Sequence, residues 1–210
     1  MGPGVAGPLV EPNTGDRTGR VGAELNAEFD RVRRAALNDE QAWTDVFGTA
    51  TDLSGLGVER NVLRYRPVAV TLRLDEGGRL ADLLRLVAAA ARTRSPLTIS
   101  SAVPLPSQLI ALFADPGSPL DVDPVTVESD QKWLARVSAG ELTTSRVRVV
   151  GSDGSALADA LGGSPEVAIY TGPVTTAGRI ELLTFLREQA VSITAHRFGT
   201  PDPEMVGLRL

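Results

Sequence analysis

Strand-like and helix-like runs alternate along most of the chain, and this alternation predicts the fold. Short apolar or alternating runs, bounded by Gly, Pro and polar residues, predict six strands at 67–74, 96–103, 124–128, 145–150, 166–170 and 191–195. Runs with helical spacing predict the helices between them, at 80–92, 107–113, 131–138, 155–161 and 175–188. The pattern is typical of an α/β protein with a Rossmann-like, doubly wound, mostly parallel open sheet of about six strands.

The segment before the first predicted strand has a different pattern. Residues 1–22 are rich in Gly, Pro and polar residues, which predicts a flexible lead-in. Residues 23–47 have helical spacing, and the polar run at 38–40 predicts a break into two helices. We therefore divide the chain into a lead-in at 1–22, a helical segment and linker at 23–56, and a Rossmann-like domain at 57–210 that ends in an extended tail.

Composition narrows the function classes. The chain has 210 residues and a net charge of -5, so it has no basic footprint for nucleic acid. No apolar run approaches the roughly 20 residues of a membrane span, and the N-terminus lacks the pattern of a secretion signal. A cytoplasmic protein is the expectation. Because there are no cysteines, a thiol nucleophile and a thiolate metal site are excluded in this chain.

Two turns at predicted strand ends are weak candidates for binding a cofactor. Gly151 and Gly154 follow the fourth strand, and Thr171 and Gly172 follow the fifth. The phosphate-binding turn of a dinucleotide fold needs G-x-G-x-x-G after the first strand, and the sequence lacks that spacing. We therefore predict no cofactor in this chain.

The sequence predicts neither catalytic residues nor a metal site. His196 is the only histidine, and no G-x-S-x-G nucleophile elbow accompanies it. The acidic residues Asp121, Asp123, Glu128 and Asp130 match no calcium-loop spacing and have no histidine beside them. They predict a solvated loop face.

Residues near the C-terminus form the candidate interaction site. His196, Arg197 and Phe198 lie in a stretch bounded by Gly and Pro, and aromatic and Arg side chains are preferred anchors of protein interfaces. The alternative is that Phe198 packs into the core of its own domain. Residues 59–66 mix charges with apolar residues at alternate positions, which favours an extended segment leading into the sheet, with an interaction surface as the alternative.

Four stretches carry a resemblance to a known family. They are the βαβ-like run at 166–203, the segment GVERNVLRYRP at 57–67, the strand PLTISSAVP at 96–104, and the turn Tyr170-Thr171-Gly172. Together they resemble the C-terminal, aldehyde-dehydrogenase-like and non-catalytic domain of the bacterial bifunctional proline dehydrogenase / Δ1-pyrroline-5-carboxylate dehydrogenase enzymes. The Tyr-Thr-Gly turn is similar to the Phe-Thr-Gly turn of the aldehyde dehydrogenases, where the glycine lets the backbone approach the nicotinamide.

The resemblance implies a function without chemistry in this chain. It implies a pseudo-enzyme domain that helps assembly and covers the substrate channel, with the catalytic domains of the proline-catabolic enzyme or its subunits as partners, and it leaves a homo-oligomer open. NAD and FAD are implied only for the parent protein, an NAD-dependent Δ1-pyrroline-5-carboxylate dehydrogenase, because aldehyde dehydrogenases need a Cys nucleophile that this chain lacks. The alternative is a stand-alone Rossmann-like domain that binds a nucleotide or another small molecule.

Overall fold

A five-stranded parallel sheet forms the centre of the molecule. The computed structural model describes residues 14–56, 59–194, 196–197 and 200–201. Within them the parallel strands are β3 (Val70–Leu74), β4 (Leu97–Ser101), β5 (Val122–Val127), β6 (Arg146–Val150) and β7 (Ala168–Tyr170). Their order in the sheet is β5-β4-β3-β6-β7, so the chain moves outward in one direction from β3 and then returns to the other side. This confirms the predicted Rossmann-like α/β fold.

Helices cover both faces of the sheet, and all five residues of its central strand β3 are buried. Three helices pack together on one face: α1 (Thr14–Ala42), α2 (Leu80–Thr93) and α6 (Gly178–Phe185). The helix α3 (Ser107–Ala114) adds Leu109 and Phe113 to the same core cluster. The other face is covered by α4 (Asp130–Ser138) and α5 (Ser155–Ala160), which pack Trp133, Val137 and Leu157 against β6.

The N-terminal helix differs from the prediction in where it begins and in its continuity. The helix begins at Thr14, so residues 14–22 of the predicted lead-in are helical. The sequence did not indicate a helix there because the glycines at 15, 19 and 22 are poor helix formers. The predicted break at 38–40 is wrong, because α1 continues to Ala42 and then widens into a π-helical turn at Trp43–Phe47. The polar residues there make tertiary contacts: Asn38 accepts a hydrogen bond from the Gly178 amide, and Asp39 is buried against Arg85.

A second, antiparallel sheet stands outside the parallel one. Its strands are β1 (Thr51–Asp52), β2 (Glu59–Pro67) and β8 (Leu186–Thr194), in the order β1-β2-β8. The predicted extended segment at 59–66 is therefore a full strand, and the predicted first strand at 67–74 is interrupted after Pro67. Residues 191–194 of the predicted sixth strand belong to β8, which pairs with β2 and not with the parallel sheet. Arg187, Glu188 and Gln189 at the start of β8 would not suit a position buried on both faces.

The described chain ends in a short antiparallel pair of β9 (His196–Arg197) and β10 (Thr200–Pro201). No helix among the described residues is long and apolar enough to cross a bilayer.

Candidate functional site

Two regions can be judged as functional sites: the edge of the parallel sheet where its strands end, and the antiparallel ribbon formed by β1, β2 and β8. In doubly wound sheets, ligands bind at the carboxyl ends of the strands where the strand order reverses. Here the strand order reverses between β3 and β6, and we call the carboxyl ends of these two strands the switch point. All four cofactor candidates follow β6 or β7 and lie at this edge.

The switch point is closed by the backbone of its own turns. The Asp75 amide donates to the Val150 carbonyl at 2.9 Å, which holds the turn after β3 against the end of β6. Gly151 has a φ of 109°, and a Cβ placed on it would lie 2.7 Å from the Cα of Gly78. The two glycines therefore allow the turns after β3 and β6 to touch.

Gly154 and Thr171 also pack against each other. Gly154 has a φ of 75°, and a Cβ on it would meet the Thr171 methyl at 2.7 Å. Gly172 has a φ of 83° and lies exposed, and its carbonyl accepts a hydrogen bond from Arg148 at 3.2 Å. The structure thus brings Gly154, in the loop after β6, into contact with Thr171, in the loop after β7.

A buried arginine occupies the polar space beside the switch point. Arg73, on β3, is fully buried and donates to Asp75 at 2.9 Å and to Ser100 at 2.6 Å. It also pairs with Asp130 and lies 5.5 Å from the Trp133 ring centre. The adjoining cavity measures about 120 Å³, well below the roughly 300–1,000 Å³ of sites that enclose small molecules.

The acidic stretch is divided between solvent and this buried network. Asp121 and Asp123 are exposed, in agreement with the predicted solvated loop. For Glu128 that prediction is wrong, since the residue is only 8 % exposed. Its carboxylate accepts hydrogen bonds from Arg136 at 2.8 and 3.0 Å and from Ser100 at 2.8 Å. The Arg136 hydrogen bonds, followed by that of Ser100, hold the pKa of Glu128 below its ordinary value. Within the described ranges, no group of three or more His, Cys, Asp or Glu side chains could hold a metal ion.

The ribbon presents a different surface. Strands β2 and β8 pair along nine residues each, from Glu59 opposite Thr194 to Pro67 opposite Leu186. β1 covers β2 only at Val62 and Leu63. Within the described part of the chain, the outer edge of β8 has no strand partner. An unpaired edge of this length, about 30 Å, is a template for pairing with another chain.

Hydrogen bonds hold the root of the ribbon, the end of β2 and the start of β8, against the parallel sheet. Arg146 donates to three carbonyls at the junction of α6 and β8, those of Leu183, Thr184 and Leu186, at 2.7–3.0 Å. The Phe185 carbonyl accepts hydrogen bonds from the Val68 amide at 3.0 Å and the Ser95 hydroxyl at 2.8 Å. Both ribbon strands are thus fixed where they leave the body.

One side of the ribbon carries an apolar groove of about 370 Å³. Leu53, Val62, Leu63, Ala190 and Val191 supply its apolar wall. The Leu53 side chain is 75 % exposed, which is unusual for a leucine in a folded domain. The groove and the unpaired strand edge together make the ribbon the best candidate for an interaction surface.

The predicted interaction residues lie directly after this ribbon. His196 and Arg197 form β9, and the His196 side chain is exposed. Phe198 lies outside the described residues. The pairing of β2 with β8 escaped the sequence analysis, although the alternation at 59–66 was the signal that could have found its first strand.

Comparison with known proteins finds similarity to solved structures. No family model and no curated protein matches the chain. A solved structure that is similar to it is "Structure of Proline Utilization A (PutA) from Corynebacterium freiburgense", at 32 % sequence identity and a TM-score of 0.50. The match covers 80 % of this chain and 14 % of that one, so the chain spans about one seventh of the length of this relative. This supports a relation to a part of a multidomain proline-utilization protein.

Proposed function

We propose that this chain is the non-catalytic, aldehyde-dehydrogenase-like C-terminal domain of a bacterial bifunctional proline-catabolic enzyme. Its role is in assembly and in covering the channel that carries the intermediate between the two active sites. The observation that carries the proposal is the similarity to PutA, because 32 % identity extends over 80 % of this chain yet only 14 % of the relative. A segment of that share is one domain of a larger protein.

The residues of the chain favour a role without chemistry. Aldehyde oxidation in the aldehyde dehydrogenases runs through a cysteine thiolate, and the sequence contains no cysteine. The NAD and FAD of the proposed parent, an NAD-dependent Δ1-pyrroline-5-carboxylate dehydrogenase, are therefore assigned to its other domains. A cytoplasmic location remains a prediction.

The closed switch point counts against the alternative of a nucleotide-binding domain. Of the four candidates, Gly151 packs against Gly78 and Gly154 packs against Thr171, whereas Gly172 is exposed. Calorimetry with NAD, NADP or ATP at millimolar concentration tests this directly. Saturable heat would favour the alternative, and its absence would favour the non-catalytic role.

The ribbon is the surface through which we expect the domain to act. An unpaired β8 edge can accept a strand from a partner, and the neighbouring groove can accept its apolar side chains. Arg146 and the Phe185 carbonyl fix the root of the ribbon, so that the surface is pre-organised. His196, which is exposed, and Arg197 follow β8 closely along the chain. The partner is a catalytic domain of the parent protein or of a neighbouring subunit.

An immunoblot of the source organism with an antibody against this domain tests the parent protein first. The chain alone has a mass of 22.1 kDa. A band several times larger supports a domain of a bifunctional enzyme. A band near 22.1 kDa contradicts it and redirects the search to a separate partner.

A variant in the groove tests the covering role within the parent protein. We expect Leu53→Arg to release more free pyrroline-5-carboxylate during proline oxidation, measured with a reagent that traps the intermediate. Leu112→Arg is the matched control, because Leu112 is also a large exposed side chain but lies on α3, away from the ribbon. Equal release from both variants, or from neither, would argue against a channel-covering ribbon.

A further inference from the structure

A second cavity lies at the opposite end of the parallel sheet, where its strands begin. It measures about 480 Å³ and lies between the π-helical turn, the loop at 48–50, the end of β2 and the end of α2. Four consecutive residues of β2, at 64–67, line it, so it runs along the edge of that strand. β1 leaves this edge uncovered, since it pairs only with Val62 and Leu63. The volume is within the range of sites that bind small molecules.

Arginines dominate the lining of this cavity. They are Arg64 and Arg66 on β2, Arg92 in the last turn of α2, and Arg94 directly after that helix. Arg64 donates to a neutral partner, Gln189, at 2.8 Å. Arg92 pairs with the exposed Glu40 at 2.6 Å, and its guanidinium lies 4.6 Å from the Trp43 ring centre. Among the residues that the structure describes, the side chains of Arg66 and Arg94 have no hydrogen-bond or ion-pair partner.

Two of these arginines occupy unfavourable places. Arg66 is directly opposite Arg187 in the β2–β8 pairing, and like charges in that position repel each other. Arg94 has a φ of 57°, in the left-handed region that ordinary side chains avoid and where glycine is the usual residue after a helix. Positive charge is thus concentrated at this cavity although the chain has a net charge of -5, and the fold accommodates both the Arg66–Arg187 repulsion and the left-handed backbone at Arg94. A bound anion would offset the repulsion and use the unpaired guanidinium groups.

We propose that this cavity binds a small molecule through an oxyanion, either a carboxylate or a phosphate group. Guanidinium groups bind such oxyanions with paired N–H donors in a fixed plane, which lysines cannot do. The stacking of Arg92 on Trp43 fixes one of these planes beside the cavity. The site is independent of the role proposed above, because it lies at the opposite end of the sheet from the switch point and shares no lining residue with the apolar groove of the ribbon.

Calorimetry on the 210-residue chain at fixed ionic strength tests the proposal, with inorganic pyrophosphate and citrate as probes. We expect saturable binding of at least one probe. Binding of pyrophosphate alone identifies a phosphate site, and binding of citrate alone identifies a carboxylate site. The absence of saturable binding with both probes up to millimolar concentration would overturn the proposal.

Variants decide whether the binding belongs to this cavity. Arg66→Ala combined with Arg94→Gly removes two unpaired cations and is expected to lower the affinity about tenfold or more. Arg33→Ala combined with Arg34→Ala is the matched control, since both side chains are exposed on α1 and the change in net charge is the same. We expect the control to bind within about twofold of the wild type by the same reasoning on remote, screened charges. An equal loss in both pairs would contradict a defined site.

Arg94→Gly by itself separates binding from stability. Glycine suits the left-handed backbone at this position, so the thermal midpoint is expected to rise while the affinity for the probe falls. A structural role for Arg94 would lower the midpoint instead. If the single variant bound the probe as tightly as the wild type, Arg94 would not be part of the site.

Discussion

The parallel-sheet body and the antiparallel ribbon differ in whether their polar and apolar groups have partners within the domain. In the body, buried charges meet partners within the domain: Arg85 binds Asp39 through two hydrogen bonds of 2.7 Å, and Arg148 lies 3.6 Å from Glu181. In the ribbon, the outer edge of β8 has no described strand partner and Leu53 is mostly exposed.

This difference suggests that the body determines the stability of the fold and the ribbon determines association with a partner. Changes in the body should alter the free energy of unfolding, because its groups depend on one another in a low-dielectric interior. Changes on the ribbon surface should alter association and leave the fold intact. Variants that test this contrast can be ordered by their expected effect on unfolding.

The largest effect is expected for Asp39→Ala. It leaves Arg85 fully buried with a single remaining acceptor, the Thr175 carbonyl at 3.0 Å, so an uncompensated charge remains inside the protein. Breaking one side of a buried pair costs about 3–5 kcal/mol. Urea denaturation at neutral pH measures the change in the free energy of unfolding.

The control for that variant is Glu40→Ala, one residue further along α1. Glu40 pairs with Arg92 at the surface, and such pairs contribute about 0–1 kcal/mol. If Asp39→Ala and Glu40→Ala destabilised the protein equally, the buried ion pair would not be a main support of the body.

Gly151→Ala tests the closed switch point. The added Cβ would lie 2.7 Å from the Gly78 Cα on a backbone with a φ of 109°, so we expect a loss of about 2–4 kcal/mol from strain and displacement of the turn. Gly163→Ala is the matched control, with a φ of 69° and no atom within 4 Å of the new Cβ. It should lose about 1–2 kcal/mol, the cost of the left-handed backbone alone. Equal losses in thermal or urea unfolding would mean that the turns can separate.

The parallel sheet could be predicted because its information is local. Strands such as β3 and β6 are apolar over most of their length, as positions buried on both faces require, and each is followed by a helix that the spacing reveals. The ribbon could not be predicted in this way. One of the contacts that define it joins Arg64 to Gln189, which are 125 residues apart. Neither stretch of sequence contains a pattern that identifies the other as its partner.

The candidate sites show the same limit. Gly151 and Gly154 were predicted at the correct edge of the sheet, since strand ends and glycines are visible in the sequence. Their close packing was not predicted, because it depends on where Gly78 and Thr171 come to lie. The arginine-lined cavity was missed for a related reason: Arg64 and Arg94 belong to different elements and read separately as ordinary surface charges.

Glu128→Gln tests the acidic end of the body through its pH dependence. The pKa of Glu128 is lowered in the folded chain, first by Arg136, so its charged form stabilises the fold. That stability is present above the pKa of glutamate in the unfolded chain, about 4.3, and is lost as the pH falls through the lower pKa of the folded chain.

We therefore expect Glu128→Gln to cost about 1–2 kcal/mol at pH 7 and much less at the lowest pH at which the protein still unfolds cooperatively. Urea titrations across this pH range measure the change. Asp121→Asn is the control, because Asp121 is exposed, and its stability curve should run parallel to that of the wild type. A Glu128→Gln curve that also stayed parallel would rule out the charge-assisted hydrogen bonds as a support.

The smallest effect on unfolding is expected for Leu53→Arg on the ribbon. Leu53 is 75 % exposed, so little apolar contact is lost, and surface changes of this kind usually stay within about 0.5 kcal/mol. Leu112→Arg on α3 should behave in the same way in urea unfolding. The two variants should differ only in association, because Leu53 borders the apolar groove and Leu112 does not. A loss of several kcal/mol in Leu53→Arg would show that the groove supports the fold itself, and the contrast between a self-contained body and an open ribbon would no longer hold.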